Sequence, residues 1–563
     1  MSESPLLPSG TWPRASGAKL AVLALCVALC AEFFTGMFPF SPVEGDEQGV
    51  INGIREMVRP SGSDFRFRYD YAIQPGAYRL TMAVHSATGA DPGRCYFALS
   101  ATSAALFAIL AAVLCTELAG SGFGMSLVMV LLCQEIQRAG FYANSSTMAG
   151  CLALGALLVL VRRPAGLLPA SAAGVLFALA GWARLDSLVV APATLVVLWR
   201  KEPAPTAVAK TALVALVTVV LLFLLFKTSG LGPVEVFGCY SGGVSSFPHA
   251  GHYATLRGAA RLTMWITSLA GMAAAAVGLW QAVRWRRTWL ICLLASVFIP
   301  TVCLYALILS SPKYFYYVTP FLALVTAAGL RTLWAPPDGA TSGRRSMGRA
   351  IVVVLAGAMA LEYTTGLRTP KSEFTRFTPE PTWARIASLG DADSGWSWVV
   401  GPGEIQPHND GFSLRMGLGF AGLVWHREKL EALGQLQLMR DAIDGNSKVA
   451  ILTTTYLSYQ CAVGYLRQKG FDCRPLEFDP RDGHSHVDVW ERGKDTVWLA
   501  WINLGEHDVA IFEDYSHRFS GCPVYFFNDL GPFHAKRLLR DPSEWKSLGP
   551  RTDGFLALYL RQK

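Results

Sequence analysis

The stretch FSPVEGDEQG, residues 40–49, sets Glu44, Asp46 and Glu47 just behind LAVLALCVALCAEFF, an apolar run with the character of a membrane span. A carboxylate beside a low-dielectric surface can act as general base toward a hydroxyl or amine, or help to ligate a divalent ion. A solvated loop, or charge favoured at a helix N-terminus, accounts for the same residues. Two further stretches carry ionisable groups inside apolar text. In GWARLDSLVVAP, Arg184 and Asp186 can line a polar cavity, or Asp186 can cap the next helix. In SSPKYFYYVTPFLALVTAAGL, Lys313 stands beside Tyr314, Tyr316 and Tyr317. A cation with phenolic hydroxyls suits an anionic lipid phosphate, and it is also what an interfacial aromatic belt contains. Glu135 and Arg138, at i and i+3, pair on a helix.

The elements that must hold these groups are set by composition. Of 563 residues, 52% are hydrophobic and 16% charged, with mean hydropathy +0.33; soluble chains carry about 25% charged residues. A span needs roughly 20 apolar residues. The runs at 18–39, 95–117, 122–140, 147–161, 167–182, 187–199, 207–227, 261–282, 289–310, 315–333 and 350–367 predict about eleven transmembrane helices, with 147–161 and 187–199 short enough to be half-helices or tilted segments. The first is read as an uncleaved span behind a cytoplasmic tail, residues 1–17.

Basic residues order these spans. Arg14 and Lys19, Arg162 and Arg163, Arg200 and Lys201, the RWRR of 284–287, and Arg331, Arg344, Arg345 and Arg349 all fall on one side, which the positive-inside rule makes cytoplasmic. The net charge of +8 is thereby explained by topology, and no basic stripe with interleaved aromatics points to nucleic acid. The opposite face receives the acidic cluster, Arg184, Asp186 and Lys313. It also receives the external segment 41–94, in which GVINGIREM and PGAYRLTMAVHSATG have helical spacing, the second with Pro75 near its start.

From Arg368 to Lys563 the text becomes globular and predicts a soluble α/β domain with a mixed sheet. KVAILTTTYLSYQCAVGYLRQKGFDCRPLEF reads strand, helix, strand; WSWVV, HVDVW, TVWLAWI, VAIF, PVYFF and GFLALYL read as strands. In DGHSHVD, His484 and His486 stand near Asp482 and Asp488, a polar turn entering a strand or a metal ligand pair. GPGE at 401–404 lacks the lysine of a phosphate loop. Cys461 and Cys473 are either free thiols or, in an oxidising compartment, a disulfide; Cys522 is the third cysteine of this part.

Four stretches together, EGDEQG, QPGAYRLTMAVHSATG, GWARLDSLVVAP and KYFYYVTPFLALVTAAGL, in this order and on one face, resemble the GT-C glycosyltransferases that use polyprenyl-phosphate sugars, in particular the protein O-mannosyltransferase and aminoarabinose-transferase branch. The resemblance spans about residues 18–367 and leaves the C-terminal domain aside. It implies a polytopic α-helical membrane protein of a bacterial-type inner membrane, moving a hexose or pentose from a polyprenyl-phosphate donor to a glycan, lipid or protein acceptor, with inversion. It assigns Asp46 as catalytic base with Glu47 beside it, Lys313, Tyr314 and Arg184 to the donor phosphate, and Asp186, Tyr78, His85 and Arg55 to substrate contacts. It calls for no cofactor or metal; a divalent cation stays compatible with the carboxylates. The chain departs from the family in two places: Gln74, Pro75, Gly76, Ala77 and Tyr78 stand for a proline-proline-leucine-tyrosine stretch, and Lys313 stands where arginine is usual, losing the bidentate fork. A transporter of a lipid-linked intermediate, or a non-catalytic scaffold of the same fold, are the rival readings; the first predicts an internal repeat, and the text holds no convincing one.

Overall fold

The computed structural model describes chiefly residues 45–58, 71–131, 145–232, 269–284, 287–306, 316–335, 342–365 and most of 438–562. The predicted span 18–39, Glu44, Glu135, Arg138, Lys313, Tyr314, WSWVV, GPGE and His484 lie outside the described residues.

Both helices expected in the external segment form: α1 (Gly45–Val58) and α2 (Pro75–Thr88). Val50 and Ile54 of α1 are buried, as their spacing requires. Pro75 opens α2, where a missing N–H costs nothing, and Gly89 closes it at φ 68°. Asp91 then caps α3 (Pro92–Ala119), its carboxylate accepting from the Gly93 and Arg94 amides at 2.9 and 3.2 Å.

The membrane helices continue as α4 (Phe123–Leu131), α5 (Ser145–Arg162), α6 (Leu168–Ala183), α7 (Ala193–Trp199), α8 (Ala204–Thr228), α9 (Leu269–Arg284), α10 (Thr288–Thr301), α11 (Thr319–Trp334) and α12 (Ser342–Thr365). Most are apolar on all sides, as helices in lipid or in a bundle centre are. Among the described residues α3, α5 and α8 are each long and apolar enough to cross a membrane. The short stretch 187–199 is divided: a 3-10 helix, Leu185–Val190, precedes α7. Pro300 lies inside α10, and the chain continues into a π-helical turn, Val302–Ala306. Helices α9 and α11 cross at two glycines; a Cβ on Gly329 would lie 2.7 Å from the Gly278 nitrogen and from the Ala274 carbonyl oxygen.

Side-chain hydrogen bonds fix which helix ends meet. Ser100 Oγ and Thr147 Oγ1 are 3.2 Å apart, joining the starts of α3 and α5, and Trp182 Nε1 donates to Ser229 Oγ at 2.9 Å, joining the ends of α6 and α8. At the other end Lys201 Nζ donates to the Val161 carbonyl and Arg331 to the Ala119 carbonyl. The basic loops around Arg162, Arg200, Lys201 and Arg331 therefore share one end of the bundle, and Ser145, Arg184 and Ser229 the other.

The C-terminal part is one mixed sheet. Its strands are β1 (Lys448–Thr453), β2 (Asp472–Cys473), β3 (Glu477–Phe478), β4 (His486–Arg492), β5 (Asp495–Trp501), β6 (Val524–Asn528), β7 (Trp545–Ser547) and β8 (Ala557–Arg561). They run in the order β2-β4-β5-β1-β6-β8-β7, with β3 also on β4; β1 is parallel to β5 and β6, and the other pairs are antiparallel. Helix α13 (Tyr456–Gln468) buries Ala462, Val463 and Leu466 against Val449 and Ile451 on one face, and α14 (Asp508–Arg518) buries Ile511, Phe512 and Tyr515 against Ala450, Leu452 and Phe526 on the other. VAIF, expected as a strand, is the first half of α14. Ile511, Phe512 and Tyr515 lie at helical spacing, and a four-residue window hides that period.

His486 and Asp488 are buried in this core: Tyr459 Oη donates to Asp488 Oδ2 at 2.5 Å, and the His486 ring meets Tyr459 and Trp501 edge-on. No group of three or more metal-ligating side chains occurs among the described residues. Cys522 is a free thiol, and the Cys461 side chain lies outside the described residues.

Asp479, itself buried, accepts from Arg481 Nε at 2.8 Å and Nη2 at 2.6 Å, and this guanidinium holds its carboxyl at about 2. A depressed carboxylate stabilises the fold above its unfolded pKa near 4, and that contribution is lost as pH falls toward 2. Asp479→Asn is expected to cost about 2 kcal/mol near neutral pH and to flatten the acid limb of a tryptophan-fluorescence stability curve between pH 4 and 2. An unchanged acid limb counts against this ion pair.

Candidate active site

Arg184 ends α6 in extended backbone, and the 3-10 helix after it turns Asp186 back toward the guanidinium. Arg184 Nε lies 2.8 Å from Asp186 Oδ2, with the carboxylate almost fully buried. Asp186 is thus no helix cap, as the sequence alone allowed; its other oxygen, Oδ1, accepts from Tyr317 Oη at 2.9 Å. Arg184 Nη1 donates to Ser145 Oγ at 3.2 Å, and Ser145 Oγ donates to Gln74 Oε1. One chain of polar contacts thereby links α2, α5, the 184–190 turn and the entry of α11. A buried charge is tolerated where it is paired and hydrogen-bonded on its remaining lone pairs, and Asp186 meets both conditions. The Arg184 side chain keeps partial access to solvent, so the guanidinium presents a cation at the bundle end while the carboxylate behind it stays enclosed.

Close packing brings these elements together. A Cβ on Gly76 would stand 2.8 Å from the Ala183 nitrogen and from atoms of Trp182, so α2 can lie against the end of α6 only with glycine there. Gly76→Ala is expected to separate the two helices and cost about 1–3 kcal/mol, read as a lower melting temperature of the purified protein; an unchanged melting temperature counts against this contact.

Tyr78, two residues on, is fully buried and meets Tyr71 edge-on at 5.4 Å. Tyr71 Oη donates to the Ser229 carbonyl at 3.0 Å and accepts from Arg79 Nε at 3.1 Å. Arg79 is exposed on α2, a second arginine at this end of the bundle. His85 is not part of the network. It lies in the last turn of α2, about 15 Å along the axis from Pro75, with Nδ1 2.7 Å from the Ala90 carbonyl oxygen.

Asp46 and Glu47 occupy the first turn of α1, where the helix dipole favours negative charge, and Arg55 lies two turns further along it. Val50, Ile51 and Ile54 of α1 share an apolar cluster with Ala77, Tyr78 and Phe226, against which Trp182 and Leu185 pack, so the acid-bearing helix belongs to the same end of the bundle as Arg184. From the other side α1 packs on α13 of the sheet domain, where Arg467 Nη1 approaches the Asn52 carbonyl at 3.4 Å.

No family model and no curated protein sequence matches the chain. The crystal structure of ArnT from Cupriavidus metallidurans bound to undecaprenyl phosphate superposes with a TM-score of 0.53 over 97% of this chain and 98% of that one, at 13% identity. The chain has a GT-C fold. The apo structure of the same ArnT gives the same TM-score and coverage at 12% identity. The GT-C likeness runs through the sheet domain as well as the helices, so the part of the chain that the sequence motifs left aside belongs to the shared architecture.

The structure brings Arg184, Asp186 and Tyr78 to one end of the bundle, together with Gln74, Ser145, Tyr317 and Arg79, which the sequence does not single out as site residues. Tyr317 was in view only as part of an aromatic stretch. Ser145, in GFYANSSTM, carried no local signal.

Proposed function

We propose that the chain is an inverting membrane glycosyltransferase that takes a sugar from a polyprenyl-phosphate donor. The observation that carries this reading is the Gln74–Ser145–Arg184–Asp186–Tyr317 network, standing at the bundle end that also bears α1 with Asp46 and Glu47. A GT-C fold shared with a protein solved with undecaprenyl phosphate bound supports it.

The donor's isoprenoid chain lies in the bilayer and its head reaches the Arg184 end. Arg184 and Lys313, with Tyr314 and the exposed Arg79, hold the phosphate and stabilise charge that grows on it as the bond from the anomeric carbon to the phosphate oxygen breaks. Asp46 takes the proton of the acceptor hydroxyl or amine, whose oxygen or nitrogen bonds to the same carbon from the opposite face. Polyprenyl phosphate leaves, and one displacement inverts that carbon. Glu47 supports the charge at the helix start, while Asp186 and Tyr317 fix the direction of the Arg184 fork. This arrangement fits about eleven spans with the sheet domain outside the cytoplasm.

Lys313→Ala is expected to weaken undecaprenyl phosphate binding about tenfold or more, the value of a charge-assisted contact. Native mass spectrometry of the purified protein with added undecaprenyl phosphate measures it. Unchanged occupancy removes Lys313 from the phosphate site.

A further inference from the structure

At the end of the bundle away from Arg184, two separate loops bring Arg200 and Arg287 near one another beside Trp289. The Arg200 guanidinium, at the end of α7, lies 4.1 Å from the centroid of the Trp289 ring in the first turn of α10, and Arg287 is the residue just before that helix. Burial and the nearby Arg287 charge both lower the Arg200 pKa, and burial with Arg200 does the same to Lys201 against the opposing pull of Glu117. Like charges gathered in this way repel and call for an anion.

Glu117 pairs with Arg162 at 3.2 Å, and Glu202 pairs with Lys210 through one of its two oxygens. Arg200, Lys201 and Arg287 form no ion pair with an acid among the described residues. Helix α10 also begins here without a side-chain cap, so its first amides face the same place.

A positive-inside bias needs only basic residues in each loop; it does not require that an arginine of one loop stack on the tryptophan two residues after an arginine of the other. Depth is marked by the neighbouring tryptophans. Trp199, Trp280 and Trp334 are exposed at this end, the last two beneath Arg284 and Arg349 at 5.4 and 5.7 Å, which is the belt expected at headgroup level.

We propose that Arg200, Lys201 and Arg287 bind the headgroup phosphate of an acidic phospholipid at the bundle end opposite Arg184. The lipid's phosphate bridges the two loops, and its acyl chains run along the apolar surface of the helices. Such a site lies in the leaflet away from the donor and is independent of the transfer reaction.

The test is native mass spectrometry of the full chain, released from micelles with added phosphatidylglycerol or phosphatidylcholine. Wild-type protein is expected to retain one phosphatidylglycerol in preference to phosphatidylcholine. Arg200→Gln/Arg287→Gln should weaken that retention about thirtyfold, on about fivefold per basic residue removed. Arg345→Gln/Arg349→Gln, with the same loss of charge elsewhere on this end, should leave it within about twofold. The single exposed substitution Arg287→Gln gives the same reading, at about fivefold, if the double variant does not fold. Equal loss in the two double variants, equal retention of phosphatidylcholine, or an equal rise in melting temperature with inorganic phosphate alone would each overturn the proposal.

Discussion

Asp46→Asn should leave the protein in the membrane at normal abundance and stop sugar transfer. The substitution keeps the size of the side chain and removes its basicity. It falls in the first turn of α1, where a neutral amide still suits the helix start, so little stability is at stake. A positioned general base contributes about 10²–10⁴-fold, and a larger loss is expected here because an unactivated hydroxyl is a poor nucleophile toward an anomeric carbon. Glu47→Gln, one residue on, should cost far less, since Glu47 only supports the local charge. Transfer assayed on membranes carrying equal amounts of each protein separates the two. Normal transfer by Asp46→Asn, or an equal loss in both, contradicts the assignment of the base.

The second large effect concerns Arg184 and Asp186, and it divides stability from binding. Arg184→Met leaves the Asp186 carboxylate buried, with Tyr317 Oη still donating to it. Removing one member of a buried pair costs about 3–5 kcal/mol. Adding Asp186→Asn removes the stranded charge, and the double variant should regain at least half of the lost stability. Undecaprenyl phosphate binding should not return to the wild-type level, because one of the cations proposed to hold the phosphate is still missing. Melting temperature and lipid occupancy, measured on the same preparations, check both halves. If the double variant recovers binding as well, the pair is a structural tie between α6 and α11 and takes no part in holding the donor.

The bundle was largely legible because its information is local. Interruptions of apolar text at Arg162, Arg200 and Arg331 mark helix ends, and Pro75 marks a helix start. The stretch 187–199 is short for a span, readable as a half-helix or tilted segment, and it is a 3-10 helix followed by α7. The strand–helix–strand reading from Lys448 holds for the same reason. The contacts within the site were not legible. Tyr317 and Asp186 are 131 residues apart, and Ser145 and Gln74 are 71 apart. Nothing in either local pattern announces the other, since a serine after a turn reads as a helix cap. Gly76 is a similar case: in the text it is one more small residue behind a proline, and only the closeness of Trp182 and Ala183 explains why no side chain fits. Misreading VAIF has the opposite origin. Four residues were too few to separate a helical period from an alternating one, and Asp508 before them is a first-turn acid that favours the helix.

Lipid-linked sugar transfer is tested most directly by a paired lipid and glycan analysis of cells that carry the wild-type chain, Asp46→Asn, or no copy. Transfer predicts that one glycoconjugate loses a single sugar in both deficient strains while the matching polyprenyl-phosphate sugar accumulates. Unchanged glycans and unchanged lipid-linked sugars in the cells without the protein, or full glycosylation in the Asp46→Asn strain, would contradict it.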